Sequence, residues 1–168
     1  HMYSRDYLLG RITATLGGRA AEEVVLGKTF SGAADDLNKV TDIARAMVCN
    51  LGMSERVGPI TVGRGEKHVF LGRDIMEEQP ISEELARTVD EEIRSIVDSC
   101  YKEARRIIET HRLALDRIVD RLLEVETIHR EELEAIVQQA DQEAGISQPD
   151  PVTQARETAG ASGVEGTA

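Results

Sequence analysis

Apolar residues recur every three or four positions along most of this chain, which is the period of a helix with one buried face. Ser4 is a good helix N-cap, and Leu8, Ile12 and Leu16 then fall on one face. Gly17-Gly18 predicts the end of that helix. A short second helix, RAAEEVVL from Arg19 to Leu26, presents Ala20, Val24 and Val25 and stops at Gly27. Ser31 can cap a third helix with Ala33 and Ala34 in its first turn. Leu37, Val40, Ala44, Met47, Val48 and Leu51 form its apolar stripe, and Gly52 closes it.

The pattern changes between Met53 and Pro80. Gly58-Pro59 is a breaker. ITV at 60–62 and HVFL at 68–71 read as short strands, joined through GRGEK at 63–67 into a small β-hairpin near 60–71. A long helical pattern begins at Ser82, with acids in its first turn where the helix dipole favours them. Leu85, Val89, Ile93, Ile96, Cys100, Ala104 and Ile107 mark its face. A bend or break is expected at ETHR around Thr110, before a second run with Leu113, Ile118, Leu122 and Val125. Thr127 can cap a last helix carrying Leu133, Ile136 and Val137. The fold class is therefore mainly α, built from packed helices. The tail over 143–168 is rich in Ala, Gly, Thr and Pro and carries too few large aliphatics to offset its ordering entropy, so disorder is expected there.

Composition narrows the function. The 168 residues suffice for one domain with a tail, and only five are Tyr or Phe with no Trp, so aliphatic side chains must build the core. Thirty-one acidic residues against 20 basic ones make the net charge −11, which repels phosphate backbones and argues against nucleic acid as a partner. No apolar run approaches bilayer length, and no secretory signal is visible, so no membrane contact by this chain is expected. His1-Met2 reads as a cloning scar, which makes the chain a piece of a longer protein. Cys49 and Cys100 match no metal or redox spacing and read as reduced, buried thiols.

The candidate chemistry is sparse. No H-E-x-x-H, no phosphate-binding G-x-x-x-x-G-K-[ST] and no recognisable nucleophile context occur. His68, His111 and His129 share no ligand spacing and read as surface or packing residues. Asp35 and Asp36 stand at the mouth of the third helix. They can cap it, since carboxylates there accept backbone N–H bonds and meet the positive end of the dipole. One of them can equally hold a metal, because the same dipole keeps a carboxylate ionised. Local sequence leaves both readings open.

Several ordered blocks resemble the FtsH family of membrane-anchored, ATP-dependent zinc metalloproteases with an AAA ATPase module. They are GGRAAEEVVLG (17–27), SGAADDL (31–37), ARAMVCNLGMSERVGP (44–59), HVFLGRDI (68–75), SEELARTVDEEI (82–93) and ETIHREELEAI (126–136). The resemblance covers roughly residues 3 to 140. It implies that residues 3–142 are the C-terminal portion of a helical, bundle-like peptidase domain. It implies a zinc ion held by the two His of an upstream H-E-x-x-H and by Asp36 as third ligand, with Asp35 a capping or surface neighbour. Glu22 would place a carboxylate behind the zinc-binding histidines; the plain alternative is a solvated helix face. The resemblance further implies ATP and Mg2+ in an AAA module outside this chain, homo-hexameric rings, and protein substrates, chiefly misassembled membrane proteins and selected soluble ones. The expected location is a bacterial inner membrane, with this domain on the cytoplasmic side and the isolated piece soluble. No catalytic residue falls within the chain, which is expected to be inactive alone and to hold zinc poorly. The competing reading is a non-catalytic helical interaction or oligomerisation module.

Overall fold

The computed structural model describes residues 2–28, 32, 34–63, 67–70, 73–76 and 81–146, with only the backbone described over 67–76. Among them the protein is mainly α. Five helices, α1 (Arg5–Leu26), α2 (Ala34–Cys49), α3 (Glu83–Thr110), α4 (Arg112–Val125) and α5 (Arg130–Glu143), are joined by two short strands, β1 (Lys67–Phe70) and β2 (Arg73–Met76). The chain divides into two compact units. The first comprises residues 1–16 and 32–100, the second 17–31 and 101–168.

Side-chain caps start two of the helices in the first unit. The Ser4 hydroxyl accepts the Tyr7 N–H at 3.2 Å, and the Ser82 hydroxyl accepts that of Leu85 at 3.2 Å. Each serine satisfies one of the orphan donors of a helix N-terminus. Leu8, Ile12 and Leu16 of α1, Val40, Ala44, Met47 and Val48 of α2, and Val89, Ile93 and Ile96 of α3 are all buried. Each large aliphatic side chain so buried contributes about 1.5–3 kcal/mol. Leu37 and Leu51, expected in the α2 stripe, are 37% and 51% exposed. They stand at the two ends of the stripe, where a helix face runs out of neighbours.

Beyond α2 the chain folds back to satisfy that helix's last carbonyls. Leu51 N–H donates to Ala46 O, Met53 N–H to Met47 O and Val62 N–H to Cys49 O, at 2.9–3.0 Å. Gly52 makes the reversal, with φ +60° and an added Cβ that would lie 3.1 Å from Pro59 Cα. Only glycine combines that dihedral with so close an approach. Ser54 then anchors the following turn. Its hydroxyl donates to Glu92 Oε2 at 2.7 Å and accepts the Val57 N–H at 3.2 Å, while Arg56 reaches Glu91 at 2.8 Å and Glu92 at 3.4 Å.

The second unit holds the end of α1, the end of α3, and the antiparallel pair α4 and α5 that pack on each other. Among the described residues its buried positions are alanines, Ala20, Ala104, Ala114 and Ala140, which let helix backbones approach closely. His111 sits between α3 and α4 with φ −98° and ψ 30°, so the break expected at ETHR is a single residue.

Four expectations are corrected. Gly17-Gly18 does not end a helix, since α1 runs unbroken for 22 residues. Two interior glycines cost about 1 kcal/mol each relative to alanine, which burial of Leu16 and Ala20 on either side outweighs. ITV at 60–62 forms no strand, and Val62 caps α2 instead. The hairpin lies further along, with Lys67 opposite Met76 and Phe70 opposite Arg73. Thr127 does not cap α5, whose N-cap is His129 without a side-chain hydrogen bond. The expected Ser31 cap, the centre of the GRGEK loop and residues 147–168 of the expected disordered tail lie outside the described residues.

Candidate functional site

The candidate ligand lies where the sequence puts it, in the first turn of α2. Asp35 and Asp36 are that helix's two first-turn acids. Asp35 is exposed. Asp36 is partly covered, its side chain 49% exposed, and its Oδ1 accepts a hydrogen bond from Lys39 Nζ at 3.0 Å. That pair, one turn along an open helix surface, is worth less than about 1 kcal/mol. It therefore offers little resistance to a metal competing for the carboxylate.

Glu22 belongs to the other compact unit. It is half-buried near the C-terminal end of α1, and it is not a solvated face residue without partners. Its neighbour Glu23 is held on α3 by Tyr101 and Arg105. Sequence reasoning passed over this contact, because its partners lie about eighty residues apart and share no local pattern.

A zinc site needs three protein ligands and an open fourth position. Among the described residues no three His, Cys, Asp or Glu side chains gather into a group able to hold a metal ion. Asp36 fits one place in such a set, an anionic oxygen donor at the positive end of a helix. The histidines do not add to it. His111 is paired with Asp141 at 2.6 Å in the second unit, His129 is exposed at the start of α5, and the His68 side chain lies outside the described residues. Cys49 and Cys100 are buried and form no disulfide, as expected of reduced thiols, and burial pushes the Cys49 thiol up, away from the thiolate a metal would take. No helix among the described residues is long and apolar enough to cross a membrane.

A helical domain with an acid pair in the first turn of α2 finds its class in its relatives, which are peptidases. Residues 1–136 match the profile of Peptidase family M41, and the chain belongs to that family. It is 52% identical over 137 residues to the ATP-dependent zinc metalloprotease FtsH of Thermotoga maritima, covering 82% of this chain and 22% of that protein. The proteins of the same name from Kosmotoga olearia and Synechococcus sp. are 43% and 46% identical, covering 93% and 82% of this chain. The chain spans 22–24% of the length of these relatives.

Proposed function

We propose that this chain is the C-terminal part, residues 3–142, of the peptidase domain of an ATP-dependent zinc metalloendopeptidase. The observation that carries the reading is the family match over residues 1–136, within which SGAADDL sets Asp36 in the first turn of α2. Asp36 is the third zinc ligand, joined by two imidazoles from an H-E-x-x-H segment outside these residues. Zinc held there would supply Lewis-acid polarisation of the scissile carbonyl and activation of water. Within this chain, α2 would present the Asp36 carboxylate, and α1 would present Glu22 behind a ligating imidazole. Such a carboxylate orients the ring and raises its basicity.

The whole protein would degrade misassembled membrane proteins and selected soluble ones. It would work as a homo-hexamer at a bacterial inner membrane, with an AAA module that uses ATP and Mg2+ and with this domain on the cytoplasmic side. The 168-residue chain contains no H-E-x-x-H and would be inactive alone. In a protein-degradation assay, the full-length protein cleaves with ATP and zinc, Asp36→Asn abolishes cleavage, and the isolated chain cleaves nothing. Full activity in Asp36→Asn, or zinc-dependent cleavage by the isolated chain, overturns the reading.

A further inference from the structure

The contact between α4 and α5 is rich in charge and poor in apolar burial. Ala114, Arg117, Ile118 and Arg121 share one face of α4 at helical spacing, and Glu132, Ile136, Ala140 and Glu143 share one face of α5. In each helix the buried residue is a single alanine, Ala114 in α4 and Ala140 in α5. Ile118 and Ile136 are half-buried, and Leu133 of α5 stays 39% exposed.

Charge pairs supply what the apolar side chains do not. Arg117 grips Glu143 with both ends of its fork, Nη1 donating to Oε1 at 3.1 Å and Nη2 to Oε2 at 2.5 Å. Arg121 Nε donates to Glu132 Oε1 at 2.6 Å, while its Nη1 reaches Glu124 on its own helix at 3.1 Å. Two-point guanidinium–carboxylate contacts are the stronger kind of ion pair. These two pairs are open to solvent, with Glu143 58% and Glu132 38% exposed, so dissolved ions screen them. The His111–Asp141 pair, better covered, forms a third tie to α5. A helix of 14 residues is marginal in water by itself, so α5 stays helical only while it is docked.

We propose that α5 is a salt-releasable flap: the Arg117–Glu143 and Arg121–Glu132 pairs dock it on α4, and screening of those two pairs frees it. Ionic strength then sets how often α5 opens, a local event that leaves the rest of the fold in place.

Amide exchange over residues 130–143 of the full-length protein, read by mass spectrometry, tests it. Sodium chloride screens the pairs, and sodium sulfate of equal ionic strength screens them too but strengthens apolar burial. Exchange should quicken in both salts by about 2–25-fold at 1 M ionic strength, the combined range for two exposed pairs. Residues 89–96 of α3 should be unaffected. Arg117→Gln/Arg121→Gln should exchange fast already at low salt and respond little to more. Unchanged exchange in chloride, or slower exchange in sulfate, overturns the proposal, because apolar burial would then hold α5. A full salt response in the double variant also overturns it. Should that variant fail to fold, Glu143→Gln alters one exposed group, and an undiminished salt response there overturns it equally.

Discussion

The Nδ1 of His111 and the Oδ1 of Asp141 lie 2.6 Å apart, joining the one-residue break between α3 and α4 to the last turn of α5. Both side chains are about four-fifths covered, at 17% and 21% exposure, so the contact is little screened by solvent. A hydrogen bond involving a charged group contributes about 1.5–3 kcal/mol. Asp141→Ala should therefore lower stability by about 1.5–3 kcal/mol in urea unfolding, and Asp141→Asn, which keeps an acceptor, by less. Equal losses in both variants would show that the hydrogen bond is not what holds α5.

Ser54 and Arg56 both tie the turn after α2 to α3, but they are not equivalent. Ser54 is 5% exposed and serves as donor to Glu92 and acceptor from Val57. Ser54→Ala leaves the Val57 N–H without that acceptor and should cost about 1–3 kcal/mol. The Arg56 side chain is 53% exposed, so Arg56→Ala should cost less than about 1 kcal/mol. Denaturant midpoints of the two variants decide the order, and a larger loss for Arg56→Ala would contradict it.

Gly52→Ala combines a left-handed dihedral, φ +60°, with a contact at 3.1 Å to the Pro59 backbone. The left-handed dihedral alone costs about 1–2 kcal/mol in a residue with a Cβ, and the close contact adds to that. The variant should unfold at clearly lower denaturant. Gly18→Ala, inside α1 where the added Cβ meets nothing within 4 Å, should instead stabilise, by up to about 1 kcal/mol.

Two glutamates make stability depend on pH. The hydrogen bond and charge of Arg117 hold the Glu143 carboxyl below its ordinary 4.5, and the hydrogen bond from Arg106 does the same for Glu103. A carboxyl depressed in the folded state binds fewer protons there than in the unfolded chain. Its contribution is present above pH 4.5 and is lost as the pH falls through the folded value. Carboxyl-detected NMR should place the Glu143 midpoint below 4.5 and show it rise in Arg117→Ala. An unmoved midpoint would contradict the pairing.

Legibility in the sequence followed the range of the interaction. The α3 stripe from Val89 to Ala104 is buried as its spacing predicts, and the break near Thr110 falls within one residue of its expected place. Both are local patterns. The errors arose where a local signal met a distant partner. Gly17-Gly18 reads as a stop until the buried residues on either side are known, and Val62 reads as a strand residue until its bond to Cys49 is seen. The Ser54–Glu92, Glu23–Tyr101 and His111–Asp141 contacts carry no short-range pattern at all. At the candidate site, the chain's own chemistry left Asp36 open between cap and ligand. Its first-turn place and weak pairing with Lys39 suit either role, and family membership is what favours the ligand.

The zinc content of the full-length protein, with Asp36 and with Asp36→Asn, tests the central claim most directly. The account predicts one zinc per subunit in the first and a clear loss in the second, with α2 still folded by far-UV circular dichroism. Equal zinc in both would return Asp36 to the helix cap and its Lys39 pair, and the third ligand would have to be sought elsewhere.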